Sequence, residues 1–167
     1  MDRQGTREWM HRGRAIATIA QELQAALPAV IDFMNSTIIP VPPSKVKGNP
    51  LYDDRLMQIL QRCCPVGADV REWISCRADL SASHENEDRA TVAELLDNYQ
   101  WTGPTALLGR SRIVIFDDMI TGGNHFVACR QLVRTYHPEA AVIGVFVSRR
   151  ILAPDDSWKL DFLNIPE

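Results

Sequence analysis

Apolar residues recur at helical spacing between residues 7 and 27 (Ile16, Ile19, Ala20, Leu23, Leu27), which predicts an amphipathic helix that Pro28 ends. The pattern then shortens. STIIPVPPSK holds an apolar run broken by prolines at 40, 42 and 43, so a strand there spans roughly Thr37 to Val41 and ends in a stiff loop that continues through Gly48, Asn49 and Pro50. DDRLMQILQRC reads as a helix with Asp53 or Asp54 in its first turn, and VREWISCR (70–77) as one strand. ADLSASHENEDR is polar and acidic, as loops are; Ser83 is placed to cap the following helix through ATVAELLDNY, with Glu85 and Glu87 near its positive end. RIVIF (112–116) is a continuous apolar run, the pattern of a strand buried on both faces. A helix follows with Cys129, Leu132, Val133 and Tyr136 on one stripe; His137-Pro138 stops it before the apolar strand AAVIGVFVS. The spacing from Phe116 to Ala141 suits a parallel crossover. Alternating strands and helices predict an α/β fold with a mostly parallel central sheet and helices on both faces.

The length of 167 residues fits one domain, with a core over roughly 35–150 and a short tail over 151–167. Hydrophobic residues at 46% and charged ones at 23% describe an ordinary globular balance. A net charge of −3 offers no global field for nucleic acid or an anionic membrane, and pairs such as Arg110/Arg112 and Arg149/Arg150 suit solvated strand ends. No apolar stretch approaches the ~18 residues of a membrane span, and the polar amino terminus lacks a secretory core, which points to the cytoplasm. Cys63, Cys64, Cys76 and Cys129 form no C-x-x-C pair and are read as reduced core or near-core thiols; zinc is not expected. The tryptophans at 9, 73, 101 and 158 are read as core or partner-surface residues.

IVIFDDMITGGNH (113–125) carries the chemistry. Ligands of open parallel sheets bind beyond the carboxyl ends of strands, where Asp117 and Asp118 are expected. Gly122 and Gly123 remove bulk before a helix opening near Asn124 or His125, whose free N–H groups and dipole favour an anion; Thr121 adds a hydroxyl. A sugar phosphate needs both features: carboxylates for vicinal hydroxyls or a hydrated cation, and an anion cradle. An Asp-rich strand end with a plain Gly-Gly connection has the same residue types, and these alone do not choose between the two. Neither a Walker loop nor a G-x-G-x-x-G fingerprint is present.

The same stretch resembles the phosphoribosyl-diphosphate (PRPP) motif of type I phosphoribosyltransferases, matched by Asp117, Asp118, Met119, Ile120, Thr121 and Gly123. IIPVPPSK resembles the strand and pyrophosphate loop of the ComF-like branch, and residues 78–90 fall where that fold has its flexible catalytic loop. The likeness covers roughly residues 35–150. It departs in the loop, where the family usually has Thr-Thr-Gly-x-Thr/Ser and this chain has Thr121-Gly122-Gly123-Asn124-His125, so two phosphate-binding hydroxyls are missing; Asn124 and His125 offer side-chain N–H groups instead. Thr121 cannot replace the carboxylate that some members use as a base.

The resemblance implies that Asp117 and Asp118 hold ribose hydroxyls, directly or through water or Mg²⁺, that residues 121 to 125 hold the 5′-phosphate, and that a nitrogenous acceptor displaces pyrophosphate. Ser44 and Lys45 would approach the pyrophosphate, with Arg77 and Arg89 as further candidates; each of these cations, and His84, also reads as an ordinary surface residue. The acceptor-recognising hood is minimal, with about 35 residues before the first core strand and under 20 after the last. That leaves a small acceptor, a pocket completed by a second subunit, or none. The chain is therefore read as a phosphoribosyltransferase-like protein binding PRPP or a related compound. The alternative is a non-catalytic nucleotide sensor or scaffold in a larger, DNA-handling or similar complex. Direct nucleic-acid binding is not expected.

Overall fold

The computed structural model describes residues 7–80, 90–107 and 109–150, with side chains from residue 11 onward. Ser83, His84, Arg89, Trp158 and the tail 151–167 lie outside the described residues.

The chain runs α1 (Arg7–Ala26), a 3₁₀ turn (Leu27–Ala29), β1 (Ser36–Pro40), α2 (Arg55–Cys63), β2 (Asp69–Val70), β3 (Ile74–Cys76), α3 (Val92–Asn98), β4 (Tyr99–Trp101), β5 (Arg112–Ile120), α4 (Asn124–Tyr136) and β6 (Ala141–Arg149). Four strands form a wholly parallel sheet in the order β2-β1-β5-β6, and β3 and β4 make a separate antiparallel pair.

Side-chain alternation explains the two cores. Ile39, Ile113 and Ile115 face Leu95 and Tyr99 together with Ala128, Cys129 and Val133 of α4. Ile38, Val114 and Phe116 face Ile16 and Ala20 of α1 and Ile59, Leu60 and Cys63 of α2. Helices thus cover both sheet faces, as the alternating pattern predicts. Ile113 to Phe116 are each buried to within 1%, worth about 1.5–3 kcal/mol per side chain. The described cysteines are free thiols; Cys63, Cys76 and Cys129 are buried and Cys64 partly so. No helix among the described residues is long and apolar enough to cross a membrane.

Several boundaries differ from the sequence reading. β1 is Ser36–Pro40, one residue earlier at each end than expected. Proline is tolerated there because Val41 N–H donates to Phe116 C=O, so the missing donor of Pro40 faces away from β5, where β2 has already ended. The single strand expected over 70–77 is two elements. Arg71 N–H makes the last bond to β1, at Ile38 C=O, and after Trp73 the chain pairs instead with β4 (Ile74 with Trp101, Cys76 with Tyr99). α3 is capped by Thr91 rather than from the preceding loop: its hydroxyl accepts from Glu94 N–H while Glu94 Oε2 accepts from Thr91 N–H, a reciprocal box. β5 continues four residues past Phe116.

Candidate functional site

Two crossovers leave the middle of the sheet in opposite directions. β1 passes through α2 on one face to β2, and β5 passes through α4 on the other face to β6. The carboxyl ends of β1 and β5 therefore flank a topological switch point, where open α/β sheets form a crevice. β1 stops at Pro40 opposite Phe116, whereas β5 runs on to Ile120 with only β6 beside it. Asp117 and Asp118 occupy that overhang. A cavity of about 650 Å³ opens there, bounded by the loop after β1, the start of α2, Glu72 and the end of β5.

Being adjacent in a strand, the two carboxylates point to opposite faces. Asp118 follows the parity of Phe116 towards α2 and meets Arg55, whose Nε donates to Asp118 Oδ2 at 2.8 Å. Arg55 also holds Asp53 through Nη1 at 3.0 Å, and Arg12 of α1 pairs with Asp53 in turn. Asp117 follows the parity of Ile115 into the other core. Desolvation there, and then the like charge of Asp118, push its pKa up to about 7, although its Oδ1 accepts from Asp118 N–H at 2.9 Å.

The turn after β5 is built as a helix entrance. Gly123 caps α4 at φ +80°, in the left-handed region that glycine adopts without strain, and a Cβ there would meet nothing within 4 Å. Its C=O accepts from Val127 N–H, while the backbone donors of Gly122, Gly123, Asn124 and His125 have no partner among the described residues. Asn124 Nδ2 donates to Ala90 C=O at 2.9 Å. His125 Nδ1 lies 2.6 Å from the hydroxyl of buried Tyr99. Burial raises the Tyr99 pKa and lowers that of His125, so both are neutral near pH 7. A protonated Tyr99 then donates to Nδ1, which leaves the His125 proton on Nε2. An imidazolium charge for phosphate at His125 is thus disfavoured, and what its side chain offers is the neutral Nε2–H.

Ser44, Lys45, Asp117, Asp118 and His125 all line the cavity. Thr121, Gly122, Gly123 and Asn124 do not; they form the turn beyond its β5 side. Lys45 is tied down, Nζ donating to Leu80 C=O at 2.9 Å, and Leu80 N–H donates to Ser44 C=O at 2.7 Å. Arg77 is exposed after β3 and is not part of the lining. Sequence reasoning missed Arg55, Lys47, Tyr52 and Glu72, which also line the cavity; Lys47 Nζ and the Tyr52 hydroxyl both donate to Glu72, at 2.6 and 3.2 Å. Burial and that acid push Tyr52 up to about 12. Only the DDR triplet at the head of α2 hinted at Arg55.

The lining carries five carboxylates (Asp53, Asp54, Glu72, Asp117, Asp118) against three cations (Lys45, Lys47, Arg55). A polyanion entering it needs accompanying positive charge. Among the described residues no three His, Cys, Asp or Glu side chains are grouped to hold a metal. A cation of the Mg²⁺ kind, which keeps several waters and arrives on ligand phosphates, does not require such a group.

No protein-family model matches the chain, and no curated protein matches it in sequence. Among solved structures it is similar to Helicobacter pylori xanthine-guanine-hypoxanthine phosphoribosyltransferase, with a TM-score of 0.47 and 11% identity over 89% of this chain and 79% of that one. A likeness of that size carries no functional argument. The site has to be read from its own residues.

Proposed function

We propose that the switch-point cavity binds PRPP or a related phosphoribosyl compound as its Mg²⁺ complex. The observation that carries this reading is the β5 overhang: two carboxylates past the end of β1, followed at once by an αL glycine and unpartnered donors opening α4. Asp117 and Asp118 accept from the ribose hydroxyls or from metal-bound water. Backbone donors of residues 122 to 125, with Thr121, hold the 5′-phosphate. Ser44 and Lys45 face the pyrophosphate, and the excess of lining carboxylates accounts for the need for a divalent cation. The loop IIPVPPSK supports the ComF-like affinity within this reading. Transfer to a nitrogenous acceptor would release pyrophosphate from C1, the leaving charge being taken up by the cation and Lys45.

Calorimetry with PRPP and Mg²⁺ tests it. Saturable binding, weakened at least about tenfold by Asp118→Asn, is the expected result, and no heat from the wild type overturns it. A second reading, a sensor or scaffold subunit that binds without turnover, is favoured by two contacts. Arg55 already occupies Asp118, and the Asn124 amide is committed to Ala90. PRPP binding with no pyrophosphate release across a panel of bases and ammonia selects it.

A further inference from the structure

A second cavity, of about 290 Å³, lies against the β2 edge and shares no lining residue with the first. The extended linker 71–73 separates them by alternation: Glu72 lines the first cavity, and Arg71 and Trp73 line the second. We infer that this second cavity is a binding site for a small monoanion with a flat apolar body, the chemistry of an aromatic carboxylate.

Charge sets the sign. Two arginines, Arg71 and Arg110, and one acid, Asp69, give the lining a surplus of one positive charge. Asp69 is already served by Thr37 Oγ1 at 2.7 Å and Arg71 Nε at 2.6 Å. Arg110 is not served. Its only ion pair is a long one, Nη1 to Asp69 at 3.6 Å, and its buried Nε has no hydrogen-bond partner among the described residues. The Nε is closed off from the cavity, but the Nη groups carry no hydrogen bond among the described residues and are not sealed, so a carboxylate entering the cavity can take their N–H groups as charge-assisted bonds.

The apolar part of the lining sets the shape. It is made by Trp73 and the turn at Pro104, and it is held rigidly. Pro104 C=O accepts from Trp101 Nε1 at 3.2 Å and lies 3.0 Å from His137 Nε2. The Trp73 indole packs edge-on against Trp101 and stacks on His137. Gly103 permits this approach, since a Cβ there would stand 2.6 Å from the Trp73 ring. A pre-formed apolar surface beside two guanidinium groups accepts a planar acid with little ordering cost.

Benzoate is the probe, titrated by calorimetry and tryptophan fluorescence into the full chain, with neutral benzamide as control. The expected result is saturable millimolar binding by benzoate and none by benzamide. Affinity falls about tenfold or more in Arg110→Gln and Arg71→Gln and is unchanged in Asp118→Asn, which keeps the outcome separate from that of the first cavity. Undiminished binding in both arginine variants, equal binding of benzamide, or loss in Asp118→Asn alone overturns the inference, as does no binding by the wild type. Should circular dichroism show Arg110→Gln unfolded, the half-exposed Arg71 variant decides by itself.

Discussion

Replacing Asp117 by Asn keeps the oxygen that accepts from Asp118 N–H and removes an ionisation that the fold opposes. The carboxyl titrates at about 7 in the folded chain against 3.8 as a free group, first because burial strips its hydration and then because Asp118 repels it. Between pH 4 and 7 the folded chain keeps a proton on Asp117 that the unfolded chain has released. Stability owed to this group is therefore full below pH 4, declines as pH rises, and is gone above pH 7. At about 1.4 kcal/mol per pH unit the ceiling is about 4 kcal/mol over the whole range, and more than half of it falls between pH 5 and 8. Asn carries no such dependence, so the variant gains on the wild type by that amount as pH is raised.

Urea denaturation of both proteins at pH 5, 6.5 and 8 reads the contribution of Asp117 together with its coupling to Asp118, because titrating groups that do not interact with Asp117 cancel in the difference. A wild-type-minus-variant gap that stays constant across the three pH values refutes the buried-carboxyl account. Asp118→Asn supplies an internal check. It removes the repulsion and leaves the burial, so the decline moves to lower pH without disappearing.

Arg55→Gln takes a neighbouring positive charge from Asp117, so a carboxyl ¹³C titration should place its midpoint higher. Global stability should change by under about 1 kcal/mol, because the Arg55–Asp118 pair is partly solvated. Thr91→Ala removes the hydroxyl half of the α3 capping box, leaving the backbone N–H to Glu94 Oε2, and should cost about 1 kcal/mol in urea denaturation. Gly144→Ala would set a Cβ 2.8 Å from the Phe126 and Phe146 rings, which already meet edge to face, and should destabilise by about 1–3 kcal/mol in the same assay.

The layered α/β frame was readable because its signals are local. RIVIF can hide four consecutive apolar side chains only between two helical layers, and Pro28 and His137-Pro138 stop helices by their own geometry. The split of VREWISCR left only a faint local mark, the pairs Arg71-Glu72 and Trp73-Ile74 that break its alternation. Beyond the Arg71 N–H bond to Ile38 the parallel ladder would next need an N–H from Pro40, which has none, a fact about another segment. β4 was hidden for a similar reason: Tyr99 continues the apolar spacing of α3 but turns to pair with Cys76. The capping box is legible as TVAE (91–94), eight residues beyond Ser83. Within the candidate site, sequence could group Asp117, Asp118 and His125 with Ser44 and Lys45. It could not supply Arg55, whose partner Asp118 is 63 residues away and meets it only through packing of α2 on β5.

That packing changes what a pair of acids can mean. In a loop, two neighbouring carboxylates can converge on one cation or one diol. In a strand they diverge, and here the divergence is enforced by two different cores. Asp118 enters the ion network of α2, and Asp117 enters a site whose burial favours its neutral form. A ligand gripping both must straddle the edge of β5 that β1 leaves uncovered after Pro40. From there the free donors of the α4 entrance lie on one side and the Ser44–Lys45 loop on the other. With Asp117 protonated it can donate as well as accept, so a hydroxyl bridging the two acids can take a proton from one and give its own to the other. Within the proposed reading, a protonated Asp117 suits a bridging diol better than a bare cation, and an ionised Asp117 the reverse.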